Sequence, residues 1–293
     1  MVVAKEFYIE TDSKSVELGY TKEIKIPMYA HVSKMILYLE TSYTNGSSPS
    51  YDSEFPFSQI RKITVYGNGS VPIYEIKGTQ LRYVSQLMTG KDVEYDSPNT
   101  TASASVTYKF RVTLPVFQPA TLYSYLIVKI EFETLSNIGS DINFTSGTVK
   151  ILPIYTSKIP FIIKGHREDK TINSTEDSFT LPINEKPKWI LLKVSDYTDS
   201  IDTVKFIHKR KEVINASYET LRELTSDLVD ITSPSTGVLL FDMKMNDTID
   251  INTQFKVKTT ANKTIELLMF NIIGESTDKS AKEETRVNPK LLL

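Results

Sequence analysis

Apolar and polar residues alternate through most of this chain. In YKFRVTLPVF, Tyr108, Phe110, Val112 and Leu114 share one face. In LIVKIEFE the shared face carries Leu126, Val128, Ile130 and Phe132, and in LLFDMKM it carries Leu239, Phe241, Met243 and Met245. A period of two predicts strands with one buried side. Pro27, Pro72, Pro115, Pro153 and Pro182 fall at or near the predicted strand ends, where a missing amide donor is tolerated. Two segments switch to a helical period. TQLRYVSQLMTG puts Leu81, Val84, Leu87 and Met88 on one face, with Thr79 as N-cap, and predicts a helix near 79–89. SYETLRELTSDL does the same with Tyr218, Leu221, Leu224 and Leu228, near 217–228.

The two helical segments sit in like surroundings. KITVYGNGSVPIYEIKGTQLRYVSQL (62–87) and VKFIHKRKEVINASYETLRELTSDL (204–228) each run strand, polar turn, strand, then a helix containing Leu-Arg. The rest of the two halves follows in the same order. EIKIPMYAHVSKMILYLE (23–40) parallels SFTLPINEKPKWILLKVS (178–195). SVTYKFRVTLPVF parallels GVLLFDMKMN, SYLIVKIEFET parallels DINTQFKVKTT, and GTVKILPIYTS parallels KTIELLMFNIIG. Two β-rich halves match in part by chance, but rarely with one helix in the same slot of each. The pattern predicts a tandem duplication with its boundary near TSKIPFIIKGHREDK (156–170). The expected domains are 1–156 and 157–274, with a charged tail over 275–293 outside both. The competing reading is one large β-sandwich with two incidental helices.

Each half holds about eight strands and one helix in ~130–150 residues, more than an immunoglobulin-type module of ~100. That suits a jelly roll of two facing four-stranded sheets, with the helix in a long connection. The predicted class is therefore all-β: two tandem eight-stranded jelly rolls, each with one short helix in an inter-strand loop.

This arrangement resembles the double jelly-roll major capsid proteins of the tectivirus, adenovirus and archaeal turreted icosahedral virus lineage. IRKITVYGNGSVPIYEIKGTQLRYVSQLMTG is similar to the strand–turn–strand–helix of their first barrel, and the likeness covers about residues 20–275. The resemblance implies a structural virion protein, located in the capsid. It would assemble with itself as a homotrimer, with neighbouring capsomers and with other capsid proteins. Two barrels per chain would give a trimer six similar wedges, a nearly hexagonal outline that tiles a facet. The alternative is a vertex turret or penton protein, or a receptor- and glycan-binding spike, built of jelly rolls. The 16 tyrosines would suit a sugar site, but the only tryptophan, Trp189, lies in the strand KWILLKV and reads as packing.

Composition narrows the chemistry. The 293 residues are 40% hydrophobic and 24% charged, as in soluble globular chains. A net charge of −2 gives no reason to expect nucleic acid as a partner. The lack of cysteine removes thiol nucleophiles, thiolate metal sites and disulfides. MVVAKEFYIE places Lys5 and Glu6 where a signal peptide has its apolar core. YLIVKIEF and LLMFNII fall far short of the ~20 residues that span a bilayer. In the tail, Leu291, Leu292 and Leu293 follow Arg286 and Lys290, so its expected partner is a neighbouring subunit or an internal membrane.

No catalytic constellation stands out, and an enzyme is not expected. His31, His166 and His208 lie far apart, each at a predicted strand end or turn. No H-E-x-x-H, G-x-S-x-G or phosphate-binding loop is present. A cupin-like metal site needs clustered histidine and carboxylate, so no metal or cofactor is expected. GNGS (67–70) reads as a hairpin turn. SDYTDSIDT gathers Asp196, Asp199 and Asp202, oxygen donors of the kind Ca²⁺ takes, but a solvated acidic loop is the simpler reading. IHKRKEV places His208, Lys209, Arg210 and Lys211 in a basic turn, read as an exposed hairpin tip rather than a membrane contact.

Modification motifs are in excess. N-x-S/T occurs at Asn45, Asn68, Asn99, Asn143, Asn173, Asn215, Asn246 and Asn262. Serine and threonine make up roughly a fifth of the chain, so its 13 asparagines would give about three such motifs by chance. Several fall at predicted turns with room for a glycan, and Asn45, Asn99 and Asn246 are expected first in outward loops. The plainer alternative is that Ser/Thr-rich loops generate the motif.

Overall fold

The computed structural model describes residues 6–229, 235–243 and 247–275. The first repeat runs β1 (Glu6–Tyr8), β2 (Lys14–Ser15), β3 (Thr21–Pro27), β4 (His31–Tyr51), β5 (Ile60–Gly67), β6 (Val71–Lys77), α1 (Leu81–Thr89), β7 (Ser105–Gln118), β8 (Tyr125–Phe132), α2 (Leu135–Ile138) and β9 (Gly139–Thr156). The second runs β10 (Phe161–Asn173), β11 (Glu176–Phe179), β12 (Lys186–Val194), β13 (Ile201–His208), β14 (Lys211–Ser217), α3 (Tyr218–Val229), β15 (Val238–Asp242), β16 (Gln254–Thr259) and β17 (Asn262–Glu275).

Sheet order carries the repeat. The first repeat forms β1-β9-β4-β7, with β2 also on β9, and β3-β8-β5-β6. The second forms β10-β17-β12-β15 and β11-β16-β13-β14. Pairing β1 with β10, β3 with β11 and so on makes the two orders identical. The helix also takes the same slot, α1 between β6 and β7 and α3 between β14 and β15. Both predicted helices are present at their predicted places.

The chain forms two compact units. Of the described residues, one holds 6–82, 93–163 and 274–275, and the other holds those of 164–273 together with 83–92. The second unit therefore contains α3 and most of α1. The predicted tail beyond residue 275, and Met245 of the predicted LLFDMKM strand, lie outside the described residues.

Alternation sets the faces. Met35, Leu37 and Leu39 of β4 lie in register with Leu114, Val112 and Phe110 of β7, and all six are at most 4% exposed. Their neighbours Ile36, Tyr38 and Glu40 point the other way and are part-exposed or exposed. β12 departs from this pattern. Ile190, Leu192 and Val194 join the core, yet Trp189, Leu191 and Lys193 on its other face are also buried. A continuous apolar run is the signature of a strand covered on both sides.

Two prolines lie deeper in strands than predicted. Pro115 lies inside β7, an edge strand whose outer side has no ladder to break. Pro153 lies inside β9, between the stretches where β1 and β2 pair. The structure also lengthens β4 and β9 beyond the predicted strands. Their extension holds a satellite core of Tyr43, Phe55, Tyr108, Ile138 and Ile142, flanked by Tyr51 and Phe144. Burial holds the Tyr43 and Tyr51 phenols well above their usual range.

Candidate assembly and modification surfaces

The glycosylation motifs sort by place and by exposure. In the first unit, Asn45, Asn99 and Asn143 meet at the end where β4 finishes and β9 begins. Asn143 is exposed, beside Asn45 in the ladder, since Thr44 pairs with Asn143 and Asn45 with Ile142. Asn99 is exposed, and its Oδ1 accepts the Thr101 amide at 2.9 Å.

Asn45 is the exception, and the expectation of an outward glycan there is corrected. It is 3% exposed, and its Nδ2 donates to the carbonyls of Asn99 and Thr101, both at 2.8 Å. Its Oδ1 accepts the Tyr51 hydroxyl at 2.6 Å. A glycan replaces one of the two Nδ2 hydrogens, so modification would remove one of these donor bonds and force a sugar between the buried side chain and the 99–101 loop. Asn45 is a structural side chain that pins the 99–101 loop.

Asn68 occupies the opposite end of the first unit, exposed in the β5–β6 turn, where its Oδ1 accepts the Ser124 amide at 2.9 Å. The turn carries Asn68 at φ 50° and Gly69 at φ 77°, as GNGS predicted. In the second unit, Asn173 closes β10 and Asn262 opens β17, both exposed, with the Ser174 hydroxyl donating to Asn262 Oδ1 at 3.1 Å. Asn215 is exposed on edge strand β14 and donates to Glu212 at 2.8 Å. Asn246 lies outside the described residues.

The remaining polar candidates stay apart. His31 Nδ1 accepts the Ala120 amide at 3.1 Å, and His166 Nε2 meets the Thr180 carbonyl at 2.9 Å. His208 Nδ1 meets the Thr253 hydroxyl at 2.9 Å. His166 lies within β10 rather than at the strand end the sequence predicted. Asp196 pairs with Lys263, which holds its carboxyl below the usual range, and Asp202 pairs with Lys258. Two of the three acids of this stretch thus face lysines. Among the described residues no three His, Cys, Asp or Glu side chains gather as metal ligands.

The basic turn is a hairpin tip, with Lys209 and Arg210 exposed at φ 50° and 63° between paired His208 and Lys211. Trp189 is buried and meets the edge of Phe270 at 6.5 Å, so it packs as expected.

No family model and no curated relative matches the sequence. Solved structures do match. The structure of the STIV MCP superposes with a TM-score of 0.78 at 14% identity, over 97% of this chain and 100% of that one. The chain is a double jelly roll. The PBCV-1 virus capsid model matches at TM-score 0.61 and 10% identity, over 94% and 97% of the two chains. The major capsid protein of bacteriophage PM2 matches at 0.59 and 11%, over 94% and 99%. At these identities the likeness is one of fold. It spans the whole of each partner, so the double jelly roll here has the full two-barrel layout and not a part of one.

Proposed function

We propose that this double jelly roll is a structural protein of a virion, a major capsid protein whose trimers build an icosahedral shell. One observation carries the reading: a single chain repeats one eight-strand order, helix included, and matches viral capsid proteins over their full length. Three such chains place six similar barrels around a three-fold axis. That near-hexagonal outline tiles a facet, and closed symmetry limits the unit to a defined size. The partners are then further copies, other capsid proteins and, through the tail, an internal membrane.

Cryo-microscopy of assembled particles tests it. Density for the chain across the facets supports the reading, whereas density at five-fold vertices alone replaces it with the turret or spike reading.

Glycans belong, on this reading, at exposed motifs: Asn68, Asn99, Asn143, Asn173, Asn215 and Asn262. Glycopeptide mass spectrometry of protein from its native source is expected to find sugar on at least one of these and none on Asn45. A fully unmodified chain, or sugar on Asn45, rejects the assignment.

A further inference from the structure

His208 ends β13, where the β13–β14 hairpin meets the segment 247–253 that leads into β16, and it is 7% exposed. Its two ring nitrogens have unlike surroundings. Nδ1 lies 2.9 Å from the Thr253 hydroxyl. Nε2 is buried with no hydrogen-bond partner, and Oδ2 of Asp247 stands 4.0 Å from it.

Counting hydrogens fixes the tautomer. Asp250 is held below the usual carboxylate range, first of all by the Thr253 hydroxyl, so it is ionised and can only accept. Thr253 Oγ1 lies 2.9 Å from Asp250 Oδ1 and accepts the Asp250 amide at 3.1 Å. The single hydroxyl hydrogen of Thr253 therefore goes to Asp250, and one lone pair of Oγ1 is left for the imidazole. Nδ1 must then carry the ring hydrogen and donate it. In neutral His208 the bare lone pair sits on Nε2, facing the Asp247 carboxylate.

That arrangement is unsatisfied in the neutral ring alone. A buried acceptor without a donor is costly, and a lone pair set against a carboxylate is repelled by it. A proton on Nε2 removes both faults, because Nε2–H becomes a charge-assisted donor to Asp247. The Nδ1–H bond to Thr253 survives, since Nδ1 donates in both states. The Asp247 side chain is 56% exposed and has room to close the 4.0 Å gap. The other charges around the pair are Asp250 on the same segment, Lys209 and Lys211 on the hairpin, and Lys186 at the start of β12. Lys209 already meets Asp247 at 2.7 Å, and a carboxylate accepts from two donors at once.

We propose that His208 is a proton-operated clasp: protonated, it binds Asp247 and ties the β13–β14 hairpin to the segment 247–253, and neutral, it releases that segment. The tie is present at low pH and lost as the pH rises through the titration of the ring. The inference goes beyond the shell reading and does not depend on it.

Two measurements on the intact chain test the clasp. Nitrogen NMR spectra of the histidine rings at about pH 8 are expected to show neutral His208 with its hydrogen on Nδ1. A neutral ring with its hydrogen on Nε2 overturns the proposal. The second measurement is hydrogen–deuterium exchange, corrected for intrinsic rates, of wild type and Asp247→Asn at about pH 5 and about pH 8. Asparagine keeps the shape of an exposed side chain, so the fold should hold. At the lower pH the segment 249–253 is expected to exchange at least about threefold faster in the variant, the scale of one exposed ion pair. At the higher pH the gap should shrink to what loss of the Lys209 pair leaves. Lys209→Gln removes the competing ammonium, whose charge is constant over this range, and should keep the pH dependence of the wild type. A gap of equal size at both pH values, or a pH dependence that disappears in Lys209→Gln, overturns the proposal.

Discussion

Gly78→Ala is expected to destabilise the first unit by about 3 kcal/mol or more, the upper end of overpacking costs. Gly78 opens the turn that leads into α1. A β-carbon there would lie 1.7 Å from the carbonyl oxygen of Ile60 and 2.5 Å from that of Phe57. Both obstacles are backbone, so no side chain can rotate away. The same turn holds Gln80, fully buried, whose Oε1 accepts the Lys77 amide at 3.1 Å. Any shift that relieves the clash disturbs that bond as well. At ~2–4 °C per kcal/mol for a domain of this size, the melting temperature should fall by roughly 6–12 °C. Gly90→Ala is the control. Gly90 has φ +66°, but an added β-carbon would meet nothing closer than the Leu228 carbonyl at 3.9 Å. It should cost only the left-handed backbone penalty, about 1–2 kcal/mol. Equal losses from the two variants would contradict the packing described at Gly78.

Phe255→Ala is expected to cost ~3–5 kcal/mol in the second unit. Phe255 sits on β16 between β11 and β13, in register with Phe179 and Phe206, and is fully buried. Its ring lies 6.2 Å from Phe179, 6.0 Å from Phe206 and 6.4 Å from Phe241. Phe241 belongs to β15 of the facing sheet, so the truncation opens a void between sheets where neither side can readily collapse. Urea unfolding followed by Trp189 fluorescence reads this directly, because the only tryptophan of the chain lies in the same unit. Phe255→Leu keeps most of the volume and should lose under ~1.5 kcal/mol. An alanine variant as stable as the leucine variant would refute the cluster.

Much of this was legible in the residues, and the failures have physical causes. Strands with one wet face write their burial into the alternation, as at Leu126, Val128, Ile130 and Phe132, all at most 3% exposed. The extension of β4 was hidden because its inward positions are Thr41, Tyr43 and Asn45, polar residues buried in the fold, of which Tyr43 and Asn45 are satisfied by distant partners. Tyr43 donates to Gln59 at 2.6 Å, a partner that no local pattern announces. The same hidden bonding turned Asn45 from an apparent surface motif into a buried one. The available signal was the odd-numbered alternation of Leu37 and Leu39 continuing to Tyr43 and so placing Asn45 on the same face.

The sequence by itself determined the duplication, the inward faces of most strands and the slot of each helix. Those properties rest on local periodicity and on the order of segments, which a chain carries wherever it goes. The tertiary structure alone decided which strands pair, since β1 joins β9 and β10 joins β17 across more than a hundred residues in the first case. It also decided that 83–92 group with the second unit, and that β12 is covered on both faces while its counterpart β4 is covered on one. Pairing at such separation is selected by closure of the whole sheet and by mutual packing, and neither leaves a periodic trace in the residues that take part.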